Sequence, residues 1–396
     1  MPTALGIGLF YAALFAGSGA SMPFMPVWFQ AQGLSGVQIG VILAAPSFGR
    51  TLAAPMLALW ADGFRLRRTP IIWMSAGATA AYSAVGLLHG FWVWLIAWLI
   101  ASVLLGMLSP LTDVITMRSA KREGFTYGWP RGIGSVGYVL GNVGMGMVML
   151  HAPPAAVLIW TVTASGLTAL AAWLMLPPEV VHEAGETPAR ADLVRGLGGL
   201  LRDPVFMLAI GSIGLIQSSH GFYYSFSTLL WRRQGVPENL IGLLWGFGVA
   251  AEVLFMWFLE PWRRRIGPGR LLVVGGVAAM VRWTGLAFSP GLYVLFALQV
   301  LHALTYTATF FAALRLIEQL SPPQSASAAQ TLNSVFSGGL LIGLVTVASG
   351  PLFDGLGVGG YLVMTGVAGV GLLGALVLLT QLKVQPASLS AASNSR

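Results

Sequence analysis

Apolar stretches of 20 residues or more follow one another along the whole chain, separated by short polar loops. A helix needs about 20 predominantly apolar residues to cross the hydrocarbon core of a bilayer. The pattern predicts an all-α polytopic membrane protein with twelve transmembrane helices and no sizeable soluble domain. These spans are predicted at 4–29, 37–61, 70–89, 91–117, 127–150, 155–177, 204–231, 238–261, 270–289, 291–319, 327–350 and 358–382.

Positive charge collects in alternate loops. The loops 62–70, 118–126, 178–203 and 261–270 contain 3, 3, 3 and 4 Lys or Arg residues, whereas the loops of the other set contain two together. Loops rich in Lys and Arg stay in the cytoplasm. The sequence thus predicts a multi-pass protein of the bacterial inner membrane with both termini cytoplasmic. Its first span lacks a basic n-region and a cleavage site, so it is predicted to be retained.

One long polar stretch divides the spans into six and six. The predicted domains are an N-terminal six-helix half at 1–177, a cytoplasmic linker at 178–203, a C-terminal six-helix half at 204–383 and a cytoplasmic tail at 384–396.

Short motifs recur in the two halves. Gln32-Gly33 and Ile39-Gly40 return 202 residues later as Gln234-Gly235 and Ile241-Gly242, and the same offset relates Arg50 to Glu252 and Asp113 to Arg315. Two pseudo-symmetric six-helix halves with a binding site near the membrane midplane are the architecture of rocking transporters. The alternative is that two membrane halves resemble each other through composition alone.

Composition narrows the functional classes. Of the 396 residues, 56% are hydrophobic and 9% charged, against about 25% charged in an ordinary soluble domain. There is no cysteine and no phosphate-binding loop of the form G-x-x-x-x-G-K-[ST], so no thiolate metal site and no ATP-driven pumping are expected. The net charge of +8 lies in loops between spans and reflects orientation rather than nucleic-acid binding. We expect no cofactor, no metal and no enzyme activity; an integral-membrane enzyme or a passive channel are the rival classes.

Five charged residues lie inside predicted spans: Arg50, Asp113, Arg131, Glu252 and Arg282. Charges inside the bilayer persist when they are paired, face water or serve a function. Asp113 and Arg131 are each nine residues from position 122, in the middle of the inside loop 118–126, and Glu252 and Arg282 are each fifteen from position 267, inside the loop 261–270. Each hairpin therefore places one acid and one arginine at equal depth. Three arginines against two acids favour an anionic substrate, a carboxylate first; purely structural pairs are the alternative.

Further polar side chains lie within the seventh and tenth spans. His220 and His302 are candidate proton carriers beside Asp113 and Glu252, although a lone membrane histidine more often joins helices by a hydrogen bond. Tyr223 and Tyr224 each bring a hydroxyl into mid-span that needs a partner, and either ring offers a stacking surface.

Several motifs resemble the major facilitator superfamily, in particular its phenylpropionate permease group and, more distantly, the lactose/proton symporters. They are the loop Ala61-Asp62-Gly63-Phe64-Arg65-Leu66-Arg67-Arg68, Leu111-Thr112-Asp113, Tyr127-Gly128-x-x-Arg131-x-x-Gly134-Ser135-x-Gly137-Tyr138, His220-x-x-Tyr223-Tyr224-x-Phe226-Ser227, Leu244-Trp245-x-x-Gly248-Val249-x-x-Glu252-Val253, Arg282-Trp283 and Leu301-His302. The loop is a weaker form of the signature between spans two and three.

The charges inside the spans and the resemblance together give expected roles for individual residues. Substrate binding falls to Asp113, Arg131, Tyr138, Tyr223, Tyr224, Glu252 and Arg282; proton coupling to Glu252, Arg282, His302 and Asp113; and gating or structural roles to Arg50, Asp62 and Gly63. The chain departs from the lactose relatives at Thr305, where they carry a proton-releasing acid three residues after the histidine. Coupling is therefore expected to use another group.

The predicted function is proton-coupled symport of a small organic solute, with an aromatic carboxylate such as 3-phenylpropionate as the first substrate. A sugar or nucleoside is the alternative substrate, and drug export ranks third. Predicted partners are the solute, protons and the lipid bilayer, without nucleic acid, and the protein is expected to be a monomer.

Overall fold

The structure is a computed structural model that describes residues 2–180, 198–322 and 325–393, the last stretch from 383 onward by its backbone only. Most of the predicted linker, 181–197, and the last three residues of the predicted tail lie outside the described residues. Helix is the regular structure of the described chain, and its β-structure is one isolated bridge between Leu66 and Val180.

Sixteen α-helices are described in chain order. The first six are α1 Thr3–Ala31, α2 Gly36–Asp62, α3 Arg68–Leu87, α4 Phe91–Glu123, α5 Gly128–Met149 and α6 Ala155–Met175. The next five are α7 Pro204–Ser218, α8 Gly221–Arg233, α9 Glu238–Phe258, α10 Glu260–Ile266 and α11 Pro268–Ala287. The last five are α12 Leu292–Val300, α13 Thr309–Leu320, α14 Ala326–Asn333, α15 Ile342–Leu356 and α16 Gly360–Ser393.

The helices form twelve spans, as predicted. Ten described stretches are long and apolar enough to cross a membrane. One of them, Ala326–Leu382, has 57 residues, far more than the roughly 20 that one crossing needs. A 3₁₀ turn at Gly357–Gly359 divides it into two spans. With α3, whose 20 residues suffice for one crossing, the total is twelve, and the predicted all-α fold is confirmed.

Two of the late spans contain a π-helical segment. Ala303–Ala308 joins α12 to α13 in the tenth span, and Ser334–Leu341 joins α14 to α15 in the eleventh. A π-turn widens the helix and is frequent at functional sites. The sequence pattern predicted regular helices there, because hydrophobic periodicity does not register one extra residue in a turn.

The seventh span is broken. It was predicted as one helix over 204–231, but α7 ends at Ser218 and α8 begins at Gly221. The break lies at Ser219 and His220, which brings a buried histidine to a helix end.

Contacts divide the chain into two compact units. The first unit contains Met1–Gly185, Tyr224–Val249 and Thr346–Gly355, and in it α1 packs on α5 and α6. The second unit contains Glu186–Tyr223, Ala250–Val345 and Leu356–Arg396, and in it α16 packs on α7 and α11. These units are not the halves given by chain order, and the predicted domain boundaries remain a prediction.

Candidate functional site

An acid and an arginine meet in the first unit, where the hairpin argument places them. Oδ1 of Asp113, on α4, accepts hydrogen bonds from the hydroxyls of Tyr11 and, at 3.0 Å, Tyr127. Nη1 of Arg131, on α5, lies 3.8 Å from the same oxygen. We call these four residues the first cluster. Its carboxylate is held by two tyrosines, and its ion pair with the guanidinium is loose.

Arg131 is well placed to meet a ligand. Its side chain is 36% exposed, and Nη1 donates to Ser109 Oγ at 2.8 Å. The guanidinium lies over the rings of Phe15, 4.6 Å away, and Tyr11, 5.1 Å away. A guanidinium fixed by ring stacking presents a planar fork that matches a carboxylate.

Two glycines of the α5 motif explain how α1 comes so close. A Cβ at Gly134 would lie 2.8 Å from Cβ of Tyr11, and one at Gly137 would lie 2.6 Å from the carbonyl oxygen of Ala12. Any side chain at these positions would push α1 away. The glycines therefore set the distance at which the rings of α1 lie beside Arg131.

Tyr138 follows Arg131 by seven residues, two helical turns along the same face of α5. Its hydroxyl lies 3.4 Å from the sulfur of Met22, as a hydrogen bond to it. The structure thus places this predicted substrate-binding tyrosine on the face of α5 that carries Arg131.

The second unit contains a larger polar group around Arg282, which is completely buried. Its Nη1 contacts Nδ1 of His302 at 2.7 Å and donates to Thr305 Oγ1 at 3.3 Å. Nη2 donates to Gln299 Oε1 at 2.8 Å. The structure therefore brings His302 together with the deep charge of Arg282.

His302 also reaches the acid of the same unit. Its Nε2 lies 2.9 Å from Oε1 of Glu252, and Thr307 donates to the other oxygen of Glu252 at 3.0 Å. A guanidinium can only donate hydrogen bonds, so Nδ1 of His302 must accept and carries no proton. Nε2 then carries the proton and donates it to Glu252. His302 is a neutral bridge between Arg282 and Glu252; we call these three residues the second cluster.

Tyr223 and His220 lie next to the second cluster. The hydroxyl of Tyr223 donates to Gln299 Oε1 at 2.9 Å, and the guanidinium of Arg282 lies over its ring at 4.4 Å. His220 contacts Thr305 Oγ1 through Nε2 and the carbonyl oxygen of Gln217 through Nδ1, both at 3.0 Å. His220, on the broken seventh span, therefore joins that span to the tenth by a hydrogen bond. Of the two roles considered for this histidine, proton carrier or link between helices, these contacts correspond to the second.

Other predicted residues lie elsewhere. Tyr224 belongs to the first unit, where its ring stacks on Trp245 with centroids 6.2 Å apart, whereas Tyr223 contacts Arg282 in the second. Arg50 is exposed and lies against α4, since a Cβ at Gly106 would come within 2.8 Å of its Cδ. Asp62 and Gly63 are exposed at the end of α2.

The predicted site lacks the neutral polar partners Tyr11, Ser109, Gln299 and Thr307. Uncharged polar residues are common in spans and carry no individual signal. Gln299 is the exception, because it precedes His302 by three residues and therefore lies on the same helix face. This spacing is a sequence signal.

Comparisons with known proteins agree on the family. The model of the MFS_1 like family matches residues 5–360. The chain is 27% identical over 370 residues to the probable 3-phenylpropionic acid transporter of Escherichia coli, covering 91% of this chain and 94% of that protein. It is also 27% identical over 378 residues to the maltose permease of Geobacillus stearothermophilus, covering 94% and 92%.

A solved structure shares the fold. The crystal structure of the nucleoside transporter NupG aligns with a TM-score of 0.83 and 14% identity, covering 97% of this chain and 100% of that one. Because one family model extends over nearly the whole chain, this protein belongs to the MFS_1 like family of the major facilitator superfamily.

Proposed function

We propose that the protein is a proton-coupled symporter of a small organic solute, with an aromatic carboxylate such as 3-phenylpropionate as the best candidate. The observation that carries the proposal is Arg131: a partly exposed guanidinium, stacked on two aromatic rings and only loosely paired with Asp113. Such a group binds a carboxylate in bidentate fashion.

The surroundings of Arg131 suit an aromatic acid. Phe15, Tyr11 and Tyr127 lie around the guanidinium and its acid partner, and an aromatic ring of the solute gains from offset or edge contacts with such rings. The similarity to a probable 3-phenylpropionic acid transporter supports the same solute class. Arg282, by contrast, is fully buried, so direct substrate contact is assigned to the first cluster.

Proton coupling is assigned to Glu252 rather than to His302. His302 cannot take a second proton without losing its bond from Arg282, because Nδ1 is the acceptor of that bond. Glu252 can take a proton while its bonds to His302 and Thr307 rearrange. The acid that lactose relatives carry at the position of Thr305 is thereby replaced by an acid on α9.

The test is uptake of labelled 3-phenylpropionate into proteoliposomes, beside a labelled disaccharide, with and without an inward proton gradient. We expect gradient-stimulated accumulation of the acid above the passive entry measured with empty liposomes. Glu252→Gln should abolish stimulation by the gradient but keep exchange of solute across the membrane. The matched control is Glu318→Gln, which alters an exposed glutamate at the end of α13. No accumulation of the acid in any condition would contradict the substrate assignment.

A sugar is the second candidate, and one observation favours it. The carboxylate of Asp113 is 26% exposed and already accepts hydrogen bonds from two hydroxyls, as it would from a sugar. The maltose permease is similar at the same level of identity. Accumulation of the disaccharide alone in the uptake experiment would favour this reading.

A further inference from the structure

A cavity lies in the second unit where α10 and the start of α11 meet the first half of α13. Its volume is about 280 Å³. It is lined by Glu260, Arg263, Arg264, Pro268, Leu271, Phe311 and Arg315. Three arginines face one glutamate, so the lining is strongly positive.

The one acid of the lining is already engaged. Oε1 of Glu260 accepts from Nε of Arg264 at 2.9 Å and from its Nη2 at 2.6 Å. These hydrogen bonds lower the pKa of Glu260, with Arg263 and Arg315 acting in the same direction. The carboxylate is therefore ionised and neutralises Arg264, so Arg263 and Arg315 supply the uncompensated charge of the cavity.

The guanidinium of Arg263 is held in place by two aromatic rings and a backbone hydrogen bond. It lies over the ring of Phe311 at 3.9 Å and over Phe255 at 5.6 Å, and Nη2 donates to the carbonyl oxygen of Met256 at 3.1 Å. Burial lowers the pKa of this guanidinium; Glu260 opposes the shift, and Arg315 and Arg264 add to it. Nε of Arg263 is buried and has no hydrogen-bond partner among the described residues. A bound anion would neutralise the excess positive charge of the lining and accept a hydrogen bond from Nε of Arg263.

Exposed aromatic residues lie close in sequence to the lining residues Glu260 and Arg263. Trp257 and Phe258 are each 71% exposed and Trp262 is 36% exposed. Trp is enriched at the level of lipid headgroups, where its ring is apolar and its N–H meets water. The charge pattern also predicts that α10, which contributes part of the lining, lies on the cytoplasmic side of the membrane. Anionic lipids of the cytoplasmic leaflet attract basic residues there.

We propose that this arginine cavity binds the phosphate of an anionic phospholipid headgroup. The guanidinium groups of Arg263 and Arg315 would hold the phosphate oxygens by charge-assisted hydrogen bonds. The cavity falls just below the range of about 300–1,000 Å³ that holds drug-sized ligands, so it suits a headgroup. The acyl chains lie outside it, against the exposed aromatic residues.

The experiment measures lipid binding to the full-length protein in detergent by native mass spectrometry, with phosphatidylglycerol or phosphatidylcholine added. We expect saturable binding of phosphatidylglycerol and little of phosphatidylcholine. Arg315→Gln should weaken phosphatidylglycerol binding roughly tenfold or more, since a hydrogen bond to a charged group is lost. Millimolar inorganic phosphate should not displace the lipid.

The matched control is Arg265→Gln, which removes the same charge from α10, the short helix that carries Arg263, at a residue that does not line the cavity. Equal weakening by Arg265→Gln and Arg315→Gln would reduce the effect to diffuse charge attraction and overturn the proposal. Displacement by inorganic phosphate would overturn the lipid assignment in favour of a soluble anion. Arg315 is exposed, so its variant is expected to fold; an unchanged melting temperature checks this, and Arg315→Lys, which keeps the charge but loses the fork, gives a second comparison.

Discussion

Two arginines of this protein have opposite environments, although the sequence presents them as equivalent partners of two acids. Arg282 is 0% exposed and held by His302, Thr305 and Gln299. Arg131 is 36% exposed, and its Nη1 lies 3.8 Å from the carboxylate of Asp113, so the ion pair is loose. At the scale of single residues, burial separates a guanidinium that organises a polar network from one that can bind a ligand.

Arg131→Lys should weaken solute binding roughly tenfold or more while the protein still folds and inserts. Lysine keeps the charge but cannot donate two parallel hydrogen bonds to a carboxylate or stack its charge flat on Phe15. Titration of the purified protein with the solute that it transports measures the dissociation constant. The control is Arg122→Lys, an exposed arginine paired with its neighbour Glu123; an unchanged affinity in Arg131→Lys would remove Arg131 from the binding site.

At the scale of elements, the start of α2 shows how a helix end is completed from a distant part of the chain. Ser35 and Gln38 form a reciprocal capping box. The next two backbone N–H groups, of Gly36 and Val37, donate to the carboxylate of Asp354 at 2.9 and 3.0 Å. The first donors of a helix have no partner within it, and here α15 supplies two acceptors within the first unit.

Asp354→Ala should lower the free energy of unfolding by about 1 kcal/mol, because it removes acceptors and a negative charge from a helix N-terminus. Chemical or thermal unfolding in detergent micelles measures the change. Asp62→Ala is the control, since Asp62 is exposed at the C-terminal end of the same helix, where a negative charge is unfavourable. If both variants have the stability of the parent, the cap contributes nothing measurable.

At the scale of the whole molecule, the distribution of basic residues predicts orientation. The predicted loop 118–126, which begins within the last turns of α4, contains Lys121 and Arg122, whereas the loop between α5 and α6 contains neither Lys nor Arg. The positive-inside rule assigns these two loops to opposite sides of the membrane.

The absence of cysteine makes this orientation simple to test. Single cysteines introduced by His151→Cys and Glu123→Cys would lie at exposed positions on the two sides. A membrane-impermeant maleimide should label the His151 variant in intact cells and the Glu123 variant only after the membrane is opened. The reverse pattern would mean that the chain is inserted the other way.

The fold class and the charged members of the site follow from the amino-acid sequence alone. Apolar stretches of spanning length leave helices as the solution, because backbone groups in lipid must be paired within each span. Ionisable residues at mid-span are costly enough to mark a site. For this reason Asp113, Arg131, Glu252 and Arg282 could be named, and their pairing by hairpin depth approximated, before any coordinates.

The connections between these groups are visible only in the folded protein. That His302 bridges Arg282 and Glu252 depends on three spans and a π-helical segment in the tenth. The neutral partners Tyr11 and Gln299 were assigned only by contact. The physical reason is that hydropathy records how costly a side chain is in lipid, whereas the direction of its hydrogen bonds depends on helix rotation and close packing, which distant residues set.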